Sequence, residues 1–322
     1  MGSELSRRSF TLGGAALAAA AASPARAGVD LSGVTLRVAD QVGTYKSKLA
    51  AAGLLDNLPY RIEWSIYPAA VQLHEALKAD AADIGGANDS PTVSAIANGS
   101  NVRAVAAWNN GGAGTYLLVP KDSPARTVAD LRGKTISPTT RGSVAHFLVV
   151  GELQKARLRL DEVKLAFLNP VDAGAAFASG SIDAWATWSI YAARLRGQLG
   201  ARVLSDGAGI NSGLYVISAA PSALRDPGKV AAIADFSDRM ERSFVWSRER
   251  RDAHIAWFKA WAKQDDEIAN ALYNDDAQYR RVAIDDAFVA RLRKTFDVWT
   301  SVGVLSGDID FNQHVYRDLQ VS

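Results

Sequence analysis

"TISPTTRGSVAHFLVVGELQK", residues 135–155, decides the fold. Its first part, with the preceding Gly133-Lys134, reads as the short strand "GKTISP". Gly142 permits a tight turn of unusual φ, Ser143 is a favoured N-cap, and Val144, Phe147 and Leu148 open a helix with one apolar stripe that runs to Lys155. A strand that turns sharply into a helix is the unit of an α/β sheet. The first turn of such a helix leaves N–H groups without intrahelical acceptors. With the positive end of the helix dipole and the Ser143 hydroxyl, they suit a cluster of negatively charged oxygens. His146 falls on that first turn, where a cation is disfavoured; it is expected to be neutral, donating one N–H to a ligand or to the backbone.

Ser143 and His146 also invite a catalytic reading. That reading needs a base oriented by a third group and an oxyanion hole, and no nearby carboxylate has the right context. The G-x-S-x-G elbow is absent. A capping serine and a packed histidine are the plainer alternative.

Working outward, the alternation repeats. Upstream lie the strand "GVTLRVAD", a helical stretch over 45–54, the strand "YRIEWSIY", a helix over 71–79 and the strand "ADIGGA". Downstream, "TYLLVP", a helical turn at 128–132 and "GKTISP" precede the decisive helix. "VKLAFLN", a helix over 171–179, "IDAWAT", a helix near 190–198, "ARVLSDG" and "GLYVIS" follow it. This predicts two α/β units, each a mostly parallel sheet flanked by helices, with a cleft between them. From Asp226 the chain becomes charged and helical; it is expected to rejoin the first lobe, with Trp246, Trp257, Trp261 and Trp299 in core packing.

The start of the chain belongs to neither lobe. Ser6-Arg7-Arg8-Ser9-Phe10-Thr11-Leu12 precedes a Gly/Ala-rich apolar run, and Ala25-Arg26-Ala27 offers a small-x-small cleavage site. Paired arginines and a weakly apolar segment point to a twin-arginine export signal over 1–27. The run is well short of the roughly 20 apolar residues that span a bilayer. Cleavage after Ala27 removes Arg7, Arg8, Arg26 and Glu4 from 36 basic and 34 acidic residues, which leaves the two signs equal. A neutral mature chain without a basic run gives no electrostatic footprint for nucleic acid or an anionic membrane. With no cysteine, disulfides, thiol nucleophiles and thiolate metal sites are excluded. The histidines at 74, 146, 254 and 314 are scattered, and no P-loop or G-x-G-x-x-G occurs, so no metal or cofactor is expected.

Two further stretches complete the expected cleft. In "GANDSPTV", Ser90 is the predicted N-cap and Pro91 the first helical residue, with Asp89 turned into the turn to bond backbone amides. In "DAWATWSIY", Trp188 and Tyr191 form a predicted aromatic wall, Trp185 being equally suited to the core; Trp108 and Asn109 are expected to face them from the other lobe.

The segments "LRGKTISPTTRGSVAHFLVVGELQKARL", "FLNPVDAGAAFASGSIDAWATWSIYAARLRGQLGARVLSDGAGI" and "GLYVI" resemble the aliphatic sulfonate-binding proteins of bacterial ABC importers, within the nitrate, taurine and sulfonate group. "EALKADAADIGGANDSP" and "FDVWTSVGVLSGDID" extend the likeness over nearly all of the mature chain. The resemblance implies a two-lobed periplasmic binding protein of the type with two crossovers, near 113–115 and 212–214. The lobes would then comprise 28–113 plus 215–322, and 114–214. It implies a small anionic ligand, a permease partner, a monomer and a periplasmic location. Three positions depart from the family pattern: Trp188-Ser189-Ile190-Tyr191 replaces Trp-Asp-Pro-Tyr, Asn88-Asp89 replaces Gly-Asp, and Arg141 precedes the Gly-Ser. The expected donors to a sulfonate are Gln41, Ser90, Arg141, Ser143, His146 and the amides of Val144 and Ala145 beside Gly142, with the ligand's tail against Trp188 and Tyr191. Several such bonds sum to micromolar binding, about 8 kcal/mol. Rival readings are a binder of taurine, nitrate or an aromatic sulfonate, and an enzyme on the same scaffold, where desulfinases and a thiamine-pyrimidine synthase occur. A desulfinase-like mechanism needs a nucleophilic cysteine, which this chain lacks.

Overall fold

The computed structural model describes residues 29–319; the expected export signal lies outside them. The first lobe begins with β1 (Thr35–Gln41), α1 (Thr44–Ala51), β2 (Arg61–Tyr67), α2 (Ala70–Lys78), β3 (Ile84–Asn88), α3 (Asp89–Ala97) and β4 (Arg103–Asn109). The chain then crosses to β5 (Thr115–Val119), β6 (Thr135–Ser137), α4 (Val144–Lys155), β7 (Lys164–Leu165), α5 (Pro170–Ala178), β8 (Ala184–Trp188), α6 (Ser189–Leu199) and β9 (Arg202–Asp206). It returns as β10 (Leu214–Ala219) and α7 (Pro227–Glu249). The remainder comprises α8 (Arg251–Ala262), α9 (Asp266–Ala271), α10 (Tyr273–Ala277), β11 (Arg280–Val282) and α11 (Asp286–Ser301).

The strands form two sheets, ordered β11-β4-β10-β3-β1-β2 and β7-β6-β8-β5-β9. Both are mixed rather than mostly parallel. β1 runs parallel to β2 and β3, and β6 parallel to β7 and β8. The antiparallel pairings belong largely to the strands beside the crossovers: β10 against β3 and β4, and β5 against β8 and β9. A strand that enters a lobe from the other side meets the resident strands head-on, a geometry that hydrophobic patterning does not report.

The two connections between the sheets run through 110–114 and 207–213. Asn110 N–H donates to the Gly213 carbonyl at 3.1 Å, and Asn109 Nδ2 to the Ser212 carbonyl at 2.7 Å, so the two connecting segments run side by side. Gly213 has φ +72°, and a Cβ there would stand 2.7 Å from the Gly111 nitrogen; only glycine fits.

Two expectations need correction here. The stretch "VKLAFLN" contributes only the two-residue β7. More important, 215–322 does not return whole to the first lobe. Ile255, Trp257, Phe258, Ile268 and Leu272 share a core with Tyr116, Leu118, Trp185 and Ile190 of the second lobe. α8 and α9 are apolar on one face, and the outer face of β5, β8 and α6 is what they cover. The chain therefore crosses a third time, and then back again to place β11 beside β4. Trp299 is in the core as expected, edge-on to Phe147 at 5.1 Å between ring centroids.

Candidate inter-lobe ligand site

A cavity of about 110 Å³ lies between the lobes, at the C-terminal ends of β1, β3 and β8. Open α/β sheets place ligands at this end, where the loops and helix starts converge. α4 points its first turn there, and Ser143 and Val144 line the cavity. Ser143 caps the helix: its Oγ accepts from His146 N–H at 3.1 Å and donates to the Pro138 carbonyl at 3.1 Å. The hydroxyl proton predicted to reach a ligand is therefore committed to the backbone. Phe147 N–H is taken by the Ser143 carbonyl, so the amides of Val144 and Ala145 remain without a protein acceptor among the described residues. Those two donors stand at the positive end of a 12-residue helix, an arrangement chemically suited to an anion.

His146 has a different task from the one expected. Its Nδ1 accepts the Gly142 N–H at 3.1 Å, which assigns the ring proton to Nε2. The ring is buried between Phe167 and Trp299, with centroids at 4.9 and 4.8 Å. Burial, with the Arg141 charge nearby, lowers its pKa to about 3, so it is neutral. His146 thus pins the glycine turn that presents α4. Gly142 has φ +77° and packs across the gap on Ser94 of the first lobe.

Of the other expected residues, Gln41 and Trp188 line the cavity. Gln41 Nε2 donates to the Gly86 carbonyl at 3.0 Å, which uses one of its two N–H hydrogens. The rest do not reach it. Trp108 is fully buried on the opposite face of β4, donating to Glu241 at 2.6 Å. Asn109 serves the crossover. Ser90 is buried inside α3, whose cap residue is Asn88; Pro91 is then third in the helix, where its missing N–H is still harmless. Asp89 accepts from Thr295 Oγ1 at 2.6 Å, tying α3 to α11, with the Ser90 amide and Ser212 also interacting with its carboxylate. Arg141 is exposed on an outer crevice, its guanidinium 4.2 Å above the Phe167 ring. Ala145 has its side chain in the second lobe's core. Tyr191 packs edge-on against Trp188, and its hydroxyl donates to the Pro68 carbonyl at 3.0 Å, joining the two lobes directly. Trp185 is a core residue.

The sequence reading missed the far wall. Trp257 and Trp261 of α8 stack at 5.6 Å and 10°, and both line the cavity with Tyr45, Tyr279, Asp275 and Asp276. The i, i+4 spacing of the two tryptophans was the available signal, since it puts both indoles on one helix face. Asp276 pairs with Lys48 at 2.7 Å, and Lys48 is fully buried, 4.2 Å over the Phe244 ring. Burial lowers the Lys48 pKa, and the Asp276 charge opposes it. Asp275 accepts from the Tyr116 hydroxyl at 2.6 Å, while its other oxygen, Oδ2, is buried without a hydrogen-bond partner. Burial pushes the Asp275 carboxyl up to about 7, against that hydrogen bond and the Arg196 charge. Its carbonyl also accepts from Asn110 Nδ2 at 2.9 Å, so this wall is anchored at the crossover.

Residues 48–246 match the family of ABC-transporter phosphonate periplasmic substrate-binding proteins. A relative in Escherichia coli K12, named for aliphatic sulfonate binding, is 30% identical over 293 residues, 89% of this chain and 90% of its own. Among solved structures, the alkanesulfonate-binding protein SsuA of Xanthomonas axonopodis pv. citri bound to MOPS superposes with a TM-score of 0.78 at 27% identity, covering 88% of this chain and 98% of that one. The periplasmic aliphatic sulphonate-binding protein SsuA of Escherichia coli superposes at 0.73 and 26% identity, over 89% and 94%. No helix among the described residues is long and apolar enough to cross a membrane. With two mixed sheets, a double crossover and an anion-receptive helix start facing the gap between them, the chain belongs to the periplasmic substrate-binding proteins of ABC transporters, in the group of the aliphatic sulfonate-binding proteins.

Proposed function

We propose that this protein captures an organosulfonate in the cavity between its lobes and hands it to a membrane permease. The observation that carries the reading is the free amide of Val144, which lines that cavity at the start of α4, with the free amide of Ala145 next to it in the same helix turn. A sulfonate is a permanent monoanion that only accepts hydrogen bonds, which suits neutral donors and a helix dipole. A phosphonate carries up to two charges, and among the described residues no lysine or arginine lines the cavity to balance the second. Donors from both lobes meet the ligand only when the lobes are together, so binding favours the closed form that the permease reads.

The same reading holds the protein to be a monomer that binds without chemical conversion, exported by the twin-arginine route. The absence of cysteine supports binding over a desulfinase-like reaction. Calorimetry with alkanesulfonates, methylphosphonate, nitrate and sulfate tests it. Heat with at least one sulfonate is expected; heat with methylphosphonate alone, or with none, overturns it.

A further inference from the structure

The cavity is chemically lopsided. Part of its lining presents an amide hydrogen from the start of α4; another part is Asp275, Asp276, Trp257 and Trp261. Lys48 compensates one carboxylate from behind, through Asp276, and is itself too buried to line the cavity. The second carboxylate has one oxygen on the Tyr116 hydroxyl and the other, buried, with no hydrogen-bond partner. A buried carboxylate oxygen left without a donor is costly, and a purely anionic or paraffinic ligand would leave it so. Indole rings carry negative faces that attract cations, most strongly where water is excluded. A single cavity lined by carboxylates and indoles as well as by an amide hydrogen of a helix start is complementary to a molecule that carries both charges.

We propose that the preferred ligand is a zwitterion: a sulfonate whose far end carries an ammonium group, recognised by Asp275 and Asp276 together with Trp257 and Trp261. The inference rests on the sulfonate reading above for its anionic end. Recognition at the far end then selects amino- and alkylammonio-sulfonates over plain alkanesulfonates. Asp275 acts ionised in this role. The groups facing it are Tyr116 from β5, Arg196 from α6, Asp206 at the end of β9 and Asp276 beside it.

The test uses pairs of equal shape that differ only in charge. Taurine is compared with propane-1-sulfonate, and N,N,N-trimethyltaurine with 3,3-dimethylbutane-1-sulfonate, by calorimetry on the full-length mature protein. The zwitterion of at least one pair is expected to bind at least about tenfold more tightly than its uncharged-tail partner. Asp275→Asn should bring that ratio close to one. So should the double variant Lys48→Met/Asp276→Asn, which removes both charges of the buried pair and leaves neither unpaired. If the variants do not fold, the wild-type ratio itself should shrink as pH falls from about 8 to about 5.5 and Asp275 takes up a proton. Equal affinities within both pairs, or a ratio indifferent to these changes, overturn the inference and leave the sulfonate reading standing. Failure of every sulfonate to bind overturns that reading instead.

Discussion

Gly142→Ala separates the stability of the lobes from their closure. A non-glycine residue at φ +77° carries backbone strain of roughly 1–2 kcal/mol, paid whether the lobes are open or closed. The added methyl also meets Ser94 across the gap: its Cβ would stand 2.9 Å from Ser94 Cβ, which rotation of the serine hydroxyl cannot relieve. An ordinary carbon contact needs about 3.5–4.0 Å, so the lobes must part here by most of an ångström. That displacement endangers the Tyr191–Pro68 hydrogen bond, worth about 1 kcal/mol, and the converging ligand donors, each worth a similar amount. Ligand affinity should fall by roughly 10- to 100-fold, or about 1.4–2.8 kcal/mol. Thermal unfolding of the empty protein should drop by a few degrees from the strain alone. Adding Ser94→Gly removes the collision and not the strain, so calorimetry should recover most of the affinity while the melting temperature stays low. Wild-type affinity in Gly142→Ala, or recovery of both quantities together, would refute the closure argument.

Other perturbations follow from the same geometry. Tyr191→Phe loses one inter-lobe hydrogen bond, so ligand should bind about fivefold more weakly in calorimetry with the melting temperature of the empty protein little changed. Trp188→Ala should weaken a sulfonate with a bulky apolar tail by about tenfold or more and methanesulfonate far less; equal losses would remove Trp188 from tail recognition. Lys48→Met leaves Asp276 without its partner and should cost roughly 3 kcal/mol in urea unfolding, most of it regained on adding Asp276→Asn. For pH, His74, His146 and His254 are depressed by burial to about 4, 3 and 4, so the unfolded chain binds more protons below its usual 6.5 and these groups favour folding as pH rises. Asp40 and Asp275, raised to about 7 by burial, act the other way between about 4 and 7. Asp275→Asn removes one opposing group, and its urea stability should climb by about 2 kcal/mol more than wild type between pH 5 and 7; parallel profiles would contradict the assignment.

The strand-turn-helix unit at 135–155 was legible because its signals are local: a glycine for the turn, a serine for the cap and an apolar stripe. The crossovers near 113–115 and 212–214 came from the family resemblance rather than from any local signal, since a Gly-rich stretch such as 111–114 reads equally well as an ordinary loop. What failed was any assignment that depends on which way a side chain faces once strands pair. Trp108 and Asn109 are neighbours on β4, and alternation sends one to the core and leaves the other for the crossover. His146 and Arg141 carry the chemistry an anion site suggests, yet one is consumed by the turn that precedes α4 and the other stands outside. The aromatic and acidic wall was illegible because α8 and α10 reach the cavity only through the third crossing, some 110 residues downstream of α4. Its tryptophans looked like ordinary core residues, and one of them, Trp257, is buried as well as cavity-lining.

That third crossing bears on how the protein is made. The apolar face of the second lobe, around Tyr116, Leu118 and Ile190, is closed by residues near 255–272. A ribosome therefore finishes every strand of that lobe while its cover is still unsynthesised, and the nascent lobe must keep a greasy flank from neighbours until the last fifth of the polypeptide emerges. An excised 114–214 fragment would inherit the same bare flank and should clump rather than stand alone.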